Sequence, residues 1–403
     1  MNDKIKKLST MKLLFDFITT QHFIGGAAEY IRKVFFSLIN ECKTSKVQIT
    51  LYGLIDSSIG KYAYEDLSPK FLQSYGVNIV DIKDYSLKEI IKKNKIDKVF
   101  IGAGQYWTKY DIKSLTCPVV CVIHDLCDEE YFYNKLSYLI FSSNIIKHTL
   151  HKFRILINGG KPQRIKGVKC LLKTLLDNPN AKIVTVSNFS KYSMKYFYDI
   201  PDDKISVLYS PQRISNVNDN IENETLRKLI NENKKYYLMI SANRKNKNPH
   251  KTITAFKRFV ENGDNDNILI TVGYPKSEYS NHVVLPYLSE TDLANAMKHC
   301  YAFIFPSFFE GFGYPPLEAM MYGKPILCSN VTSIPEIVGD ASISFSPFYT
   351  SDIYRALCSL NEINYNELAQ KAKKQYNIIS IRQQEDLQKL LDLILQGDNS
   401  LSI

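Results

Sequence analysis

Short apolar runs alternate along this chain with longer stretches in which apolar positions recur every three or four residues. The short runs predict strands and the longer stretches helices. Their regular alternation predicts parallel sheets with helices on both faces. In the first half the strand candidates are 12–18 (KLLFDFI), 47–54 (VQITLYGL), 98–102 (KVFIG), 119–123 (VVCVI) and 182–186 (KIVTV). In the second half they are 236–241 (YYLMIS), 267–273 (NILITVG), 301–305 (YAFIF) and 325–328 (PILC). Gly25-Gly26 opens an expected helix from Ala27 to Asn40, and the polar, turn-rich stretch 209–224 reads as a linker. The fold class expected is α/β, with two Rossmann-like doubly wound domains, 1–212 and 213–375. Ligands of open parallel sheets bind beyond the strand carboxyl ends, so the expected site is a cleft between the domains.

Composition narrows this little. The 403 residues, 45% of them hydrophobic, suffice for two cores, and 48 tyrosines and phenylalanines exclude wholesale disorder. The net charge of +10 is uneven: residues 1–200 carry +12 and residues 201–403 carry −2. Such asymmetry points to an anionic partner of the first half: nucleic acid, a membrane surface or a phosphorylated substrate. The 8 cysteines are scattered without a C-x-x-C pair, which suits free thiols in a reducing cytosol better than disulfides or zinc. The N-terminal lysines and short apolar run resemble a signal peptide faintly, but Asp16 interrupts the run and a first core strand is expected instead. No uninterrupted apolar stretch is long enough to span a membrane.

The most informative stretch is 306–323, PSFFEGFGYPPLEAMMYG. A strand ends at Pro306, a loop with Glu310, Gly311, Phe312 and Gly313 follows, and Pro315-Pro316 opens a helix that Gly323 closes. A helix N-terminus so placed turns its free amides and positive dipole end toward the cleft, where an anion can bind. Glu310 in the loop and Glu318 in the helix can accept hydrogen bonds from sugar hydroxyls. On chemistry alone, a turn residue and a solvated helix face remain equal alternatives.

This segment resembles the E-x7-E signature of glycosyltransferase family 4, retaining enzymes of the GT-B fold. The likeness extends through Cys328-Ser329-Asn330 and Ile334-Pro335-Glu336-Ile337-Val338-Gly339-Asp340. Residues 240–256, ISANRKNKNPHKTITAF, are similar to the family's second-domain opening; Phe23-Ile24-Gly25-Gly26-Ala27-Ala28 looks like its Gly-Gly loop. His124-Asp125-Leu126 resembles its H-D-L at a strand end, and 184–211 its closing strand–helix–strand, with Ser187 and Ser190 as helix caps.

The resemblance implies a retaining transfer of a sugar from a UDP- or GDP-activated donor to a hydroxyl of a glycan or lipid-linked acceptor. It further implies surface polysaccharide synthesis, such as lipopolysaccharide. Arg244 and Lys247, with Lys245 the alternative lysine, would neutralise the leaving diphosphate. Glu318 would hold the ribose, Glu310 the donor sugar, and His124 would touch that sugar near the reacting carbon. Main-chain amides around Phe312, Gly313, Tyr314 and Pro315 would hold sugar and phosphate, and Gly25 and Gly26 would let backbone approach the ligand. A terminal helix, about 376–403, would cross back to the first domain. No cofactor or metal is implied, and Asp264-Asn265-Asp266, which spells the D-x-D metal motif, reads as a turn.

The window 147–173 mixes eight lysines and arginines with apolar residues, which fits an element on an anionic membrane surface. The resemblance implies a lipid-linked acceptor reached at the cytoplasmic face of the inner membrane, so a cytoplasmic protein at that face is expected; a nucleic-acid partner is not, because no binding motif accompanies the charge. The competing readings are a GT-B epimerase or hydrolase and a non-catalytic protein that binds anionic surfaces. An epimerase needs a base at a ring carbon, and no additional cleft carboxylate is evident for one.

Overall fold

A computed structural model describes residues 10–22, 25–45, 47–134, 163–213, 220–263 and 266–396. Seven strands form the first sheet: β1 (Met11–Asp16), β2 (Ile49–Ile55), β3 (Asn78–Asp81), β4 (Lys98–Ile101), β5 (Val119–Ile123), β6 (Ala181–Thr185) and β7 (Ile205–Val207). Six form the second: β8 (Tyr236–Met239), β9 (Ile268–Val272), β10 (His282–Leu285), β11 (Ala302–Phe305), β12 (Ile326–Ser329) and β13 (Ser342–Phe345). The orders are β3-β2-β1-β4-β5-β6-β7 and β10-β9-β8-β11-β12-β13, and every pairing is parallel. Both sheets thus reverse their winding beside their own first strand, at β1/β4 and β8/β11. The architecture is the expected pair of doubly wound α/β units.

All nine strands read from the apolar runs are present; 119–123 coincides with β5 and the others have one or both ends shifted by one to a few residues. The strand read as 12–18 stops at Asp16, because a short helix, Ile18–His22, begins there. Four strands escaped the pattern: β3, β7, β10 and β13, of which β7 was met only through the resemblance of 184–211. Each is an edge strand, half-buried in part and short or interleaved with polar residues (NIVD, ISV, HVVL, SISF), so its apolar run is too short to stand out. By contrast β4, β5, β8, β11 and β12 are buried throughout, as central parallel strands must be.

The helix after β1 spans Gly26–Thr44 and the last helix spans Tyr365–Leu395, starting well before position 376. The Asn364 side chain caps that last helix, accepting from the amides of Asn366 (3.1 Å) and Glu367 (3.3 Å). Its Leu368 and Ala372 pack into the layers flanking the second sheet, whereas Ile379, Leu390, Leu391 and Ile394 enter a layer on the first. The helix therefore does cross from one sheet to the other. At its far end Lys98, buried at the start of β4, donates from Nζ to the carbonyl oxygens of Leu393 (3.1 Å) and Gln396. These are helix-terminal carbonyls without intrahelical partners, and a cation suits the negative end of the dipole.

Of the basic window, residues 147–162 lie outside the described residues. The remainder belongs to a helix, Gln163–Asp177, that buries Ile165, Val168, Leu171, Leu172 and Leu175 against the first sheet. The mixed pattern here is an amphipathic core helix: its apolar face is spent inside, and Lys166, Lys169 and Lys173 lie outside around a hollow of about 750 Å³. Asp264 and Asn265 of the D-x-D triplet also lie outside the described residues. Among the described residues no helix is long and apolar enough to cross a membrane, and all eight cysteines are free.

Replacing Lys98 by Ala should cost about 1–3 kcal/mol by orphaning those carbonyls. Limited proteolysis of Lys98→Ala should cut first within the last helix; an unchanged melting temperature and cleavage pattern would contradict the assignment.

Candidate functional site

The site is built from two loops that leave the second sheet at its reversal point. After β8 the chain turns at Ser241 (φ 55°), makes a short 3-10 turn over Lys245–Lys247, and passes through Asn248 (φ 59°) into the helix Pro249–Asn262. Asn tolerates this left-handed conformation, and its side chain is held by the Pro347 carbonyl at 2.8 Å. The turn buries Lys247 and leaves Arg244 and Lys245 exposed. After β11 the second loop runs alongside, its Phe308 amide donating to the Asn246 carbonyl at 2.8 Å.

The Lys247 ammonium meets the Glu310 carboxylate and lies 4.8 Å from the centre of the Phe305 ring. This settles which of the two lysines faces the loop. The Glu310 loop is itself fixed from the turn after β12. The Glu310 amide donates to Thr332 Oγ1 (3.2 Å), and the Ser333 hydroxyl lies 3.0 and 2.9 Å from the Glu310 and Phe312 carbonyls. Gly313, at φ 113°, makes the bend into the helix Tyr314–Met321, a conformation that an L side chain would strain. Pro315 and Pro316 occupy the first turn of that helix and carry no N–H. The anion-facing amides expected around Phe312–Pro315 are therefore reduced to those of Phe312, Gly313 and Tyr314.

The first half meets these loops with the segments that leave β1, β5 and β6. Gly311 lies against the segment after β5, where an added Cβ would be 2.8 Å from the His124 carbonyl oxygen and 3.1 Å from Asp125 Oδ2. Ser187, the cap of helix Asn188–Tyr198, accepts from the Ser190 amide (3.2 Å) and lies 2.8 Å from the Gly311 carbonyl oxygen. Gly25 is in extended conformation before helix Gly26–Thr44, and a Cβ on Gly26 would come within 3.8 Å of Arg213 and 4.0 Å of Tyr314. Thus His124 is brought to the Glu310 loop and Gly25-Gly26 to Tyr314. Arg244 stands beside Lys247 in the chain, but its side chain is exposed and makes no ion pair among the described residues.

His124 is buried and its Nε2 lies 2.9 Å from the Gly102 carbonyl oxygen, so that nitrogen carries the proton. Its ring meets Tyr30 edge-on at 4.7 Å. Burial lowers its pKa to about 4, against the smaller opposing pull of the Gly102 carbonyl. With its Nε2–H committed to Gly102, the buried imidazole is held neutral.

Three participants were missed. Asp125 is the additional cleft carboxylate: burial raises its pKa, with the Glu310 charge adding to the effect and the Cys127 amide (3.1 Å) and Arg164 opposing it. It stood beside His124 in the H-D-L run, but adjacency alone did not show that both reach the cleft. Arg213 pairs with Glu318 at 3.2 Å and stacks 4.3 Å over the Tyr314 ring, although it belongs to the stretch read as a linker. Glu336, in the Ile334–Asp340 run, contacts the first half through Asn188 and Tyr209. Among the described residues no group of three or more His, Cys, Asp or Glu is arranged to hold a metal ion.

Residues 220–375 match the family model of the group 1 glycosyl transferases. An O-antigen chain mannosyltransferase B of Escherichia coli is 44% identical over 86 residues, 21% of this chain and 23% of that protein. The O-antigen chain mannosyltransferase RfbU of Salmonella typhimurium is 29% identical over 177 residues, 41% of this chain and 46% of that protein. The chain thus spans about a quarter of the first relative's length and about half of the second's. Among solved structures, WaaG, a glycosyltransferase involved in lipopolysaccharide biosynthesis, superposes with a TM-score of 0.62 at 14% identity, over 96% of this chain and 100% of that one. HepE of Anabaena, in complex with UDP and glucose, gives 0.63 at 15% identity, over 95% and 98%. A glycosyltransferase from Rickettsia africae gives 0.61 at 16%, over 97% and 100%. The fold is GT-B.

The depressed His124 pKa has a sign that can be checked. Between the unfolded value of 6.5 and about 4, the unfolded chain binds a proton that the folded one does not. His124 therefore costs stability as pH falls through that window, by up to about 3 kcal/mol. Denaturant unfolding at pH 7 and pH 4.5 should show a smaller acid loss for His124→Gln than for the wild type. Equal losses would exclude the buried neutral imidazole.

Proposed function

We propose that this protein is a retaining glycosyltransferase of family 4, its E-x7-E pair being Glu310 and Glu318. It moves a sugar from a nucleotide-activated donor to a hydroxyl of a glycan or lipid-linked acceptor in surface polysaccharide synthesis. The observation that carries the reading is the pairing of buried Lys247 with Glu310 at the reversal point of the second sheet, in a loop whose Gly311 packs against the His124 main chain of the first half. A cation, a sugar-binding carboxylate and a neutral imidazole at one crevice suit departure of a nucleoside diphosphate from a sugar. The likeness of residues 220–375 to the group 1 glycosyl transferases supports the same reading. The relatives named for their sugar are mannosyltransferases, so we take a mannosyl donor as the first to test.

On this reading Lys247 and Arg244 stabilise the negative charge that grows on the leaving diphosphate, a contribution worth most where water is excluded. Glu310 receives donor-sugar hydroxyls and Glu318 the ribose hydroxyls, each exchanging the cation it now holds for the ligand. Main-chain amides at Gly313 and Tyr314, and the helix start at Gly25-Gly26, meet sugar and phosphate. The departing phosphate accepts the acceptor's proton, so the transfer needs no separate base and no metal or other cofactor. We place residues 1–212 with the last helix on the acceptor side and 213–375 on the donor side, at the cytoplasmic face of the inner membrane. Any membrane contact through the first half is then electrostatic, through exposed lysines such as Lys166, Lys169 and Lys173, with no inserted apolar face on the described part of that window.

Asp125 gives the epimerase reading a carboxylate, so the two are separated directly. A panel of GDP- and UDP-sugars, GDP-mannose first, is assayed for released nucleoside diphosphate with and without acceptor extract. Release should require acceptor; conversion of the donor sugar without acceptor would overturn the transferase reading. Lys247→Ala and Glu310→Ala should each lower sugar incorporation on the order of 10²-fold or more with the fold retained by circular dichroism. Full activity of Glu310→Ala would remove that residue from the site. Binding to anionic vesicles should weaken as salt rises, and salt-independent binding would contradict an electrostatic contact.

A further inference from the structure

Glu336 sits at the start of a short helix, Ile334–Val338, and its carboxylate is directed away from its own sheet. Its two oxygens lie 3.0 and 2.9 Å from the Asn188 amide, one is 2.8 Å from Asn188 Nδ2, and the other is 3.3 Å from the Phe189 amide. The Tyr209 hydroxyl donates to it at 2.8 Å. Every one of these donors belongs to the first half. Asn188 and Phe189 open an 11-residue helix whose first amides have no intrahelical acceptors. A carboxylate there answers orphan donors and the positive dipole end together, through charge-assisted bonds stronger than neutral ones.

The same short segment holds the donor loop from its other side. Thr332 accepts from the Glu310 amide, and the Ser333 hydroxyl reaches the Glu310 and Phe312 carbonyls. Residues 332–336 thus grip the Glu310 loop with two hydroxyls and the first half with one carboxylate. The gripped helix begins at Ser187, which also touches the Gly311 carbonyl, and the Ser190 hydroxyl donates to the His124 carbonyl at 2.9 Å. Glu336, helix Asn188–Tyr198, His124 and the Glu310 loop form one closed ring of contacts across the cleft.

We propose that Glu336 is a positioning residue, the latch that sets the second half against the first and so fixes His124 relative to the Glu310 loop. It touches no substrate in this assignment. Its effect on transfer rests on the functional reading above, but its effect on the relation of the two halves does not. An error of about 1 Å in such a relation can lower a rate on the order of 10²-fold while each half still binds its own ligand.

The test compares the wild type with Glu336→Gln, Glu336→Ala and Tyr209→Phe. Calorimetric titration with GDP and UDP should give dissociation constants within about two-fold of the wild type, because the nucleotide contacts assigned above lie outside the latch. Turnover should fall on the order of 10–100-fold in Glu336→Ala, with KM for the donor little changed, and less in Glu336→Gln. Adding Tyr209→Phe to Glu336→Ala should cost nothing further, since both changes cut the same contact. Small-angle scattering should show a larger radius of gyration for Glu336→Ala than for the wild type. Unchanged turnover together with an unchanged radius of gyration would overturn the proposal, as would a loss confined to nucleotide affinity. If Glu336→Ala does not fold, Glu336→Gln and Tyr209→Phe carry the same comparisons. If the wild type turns over no donor, the functional reading fails, and the scattering comparison alone still decides the latch.

Discussion

Parallel strands impose the constraint on which this molecule is built. Every strand of each sheet points its carboxyl end the same way, and neighbouring crossovers cover the faces. Only where the winding reverses, at β1/β4 and β8/β11, do two successive loops part in opposite directions and leave a crevice. The polypeptide leaving β8 carries Lys247, and that leaving β11 carries Glu310. The polypeptide leaving β1 leads to Gly25-Gly26, and that leaving β5, one strand further across the sheet, carries His124. These residues are distant in sequence yet share a cleft because the topology gives their loops one place to meet. A mixed or antiparallel sheet of the same strands would send half of these loops to the opposite edge.

The second consequence concerns burial. One layer on the first sheet contains Phe312, Tyr314, Leu317 and Ile337 from the second half and Ile379, Leu390, Leu391 and Ile394 from the last helix, beside its own Phe15, Tyr30 and Phe35. Each such side chain contributes about 1.5–3 kcal/mol when removed from water. The first half alone would leave that layer uncovered, so the two halves are coupled through a shared core as well as through polar contacts. Tyr209 concentrates this coupling: its ring meets Phe312 at 5.4 Å and lies under the Arg382 guanidinium at 3.6 Å, and its amide donates to Asp386 at 3.0 Å. A segment whose composition reads as a linker is here, over its described part, a packed joint.

That contrast marks what a sequence can disclose. The central strands were legible because burial on both faces demands continuous apolar runs. The edge strands β3, β7, β10 and β13 were not, because one side of an edge meets solvent or a loop and relaxes that demand; β7 came into view only through the resemblance. The resemblance brought Glu310, Lys247 and His124 into view together, whereas on chemistry alone a turn residue was an equal reading of Glu310. Arg213 carried no signal, since its partner Glu318 is 105 residues away and its neighbours are polar. Asp125 and Glu336 stood inside quoted motifs, yet their significance lies in what the opposite half presents to them. In the basic helix Gln163–Asp177, the described end of the window 147–173, helical periodicity sorts charge and apolarity onto separate faces, which the window taken as a whole did not show.

The uneven charge also acquires a physical form. Some of the first half's cations are already engaged: Lys191 and Lys195 with Asp202, Arg32 with Asp66, and Lys98 with the end of the last helix. The near-neutral second half needs no such excess, because its two signature carboxylates each hold one cation, Lys247 on Glu310 and Arg213 on Glu318. In the proposed reaction those pairs are placeholders. A half-buried carboxylate left bare would be costly, and so would a buried cation such as Lys247 with no counter-charge. A donor that brings hydroxyls to the carboxylates and a diphosphate to the cations replaces both partners at once, so neither charge is stranded during the exchange. A nucleotide lacking its sugar satisfies Glu318 and the cations but leaves Glu310 to be met by water. On this argument the paired ground state itself favours the complete donor over its fragments, before any chemistry at the sugar carbon begins.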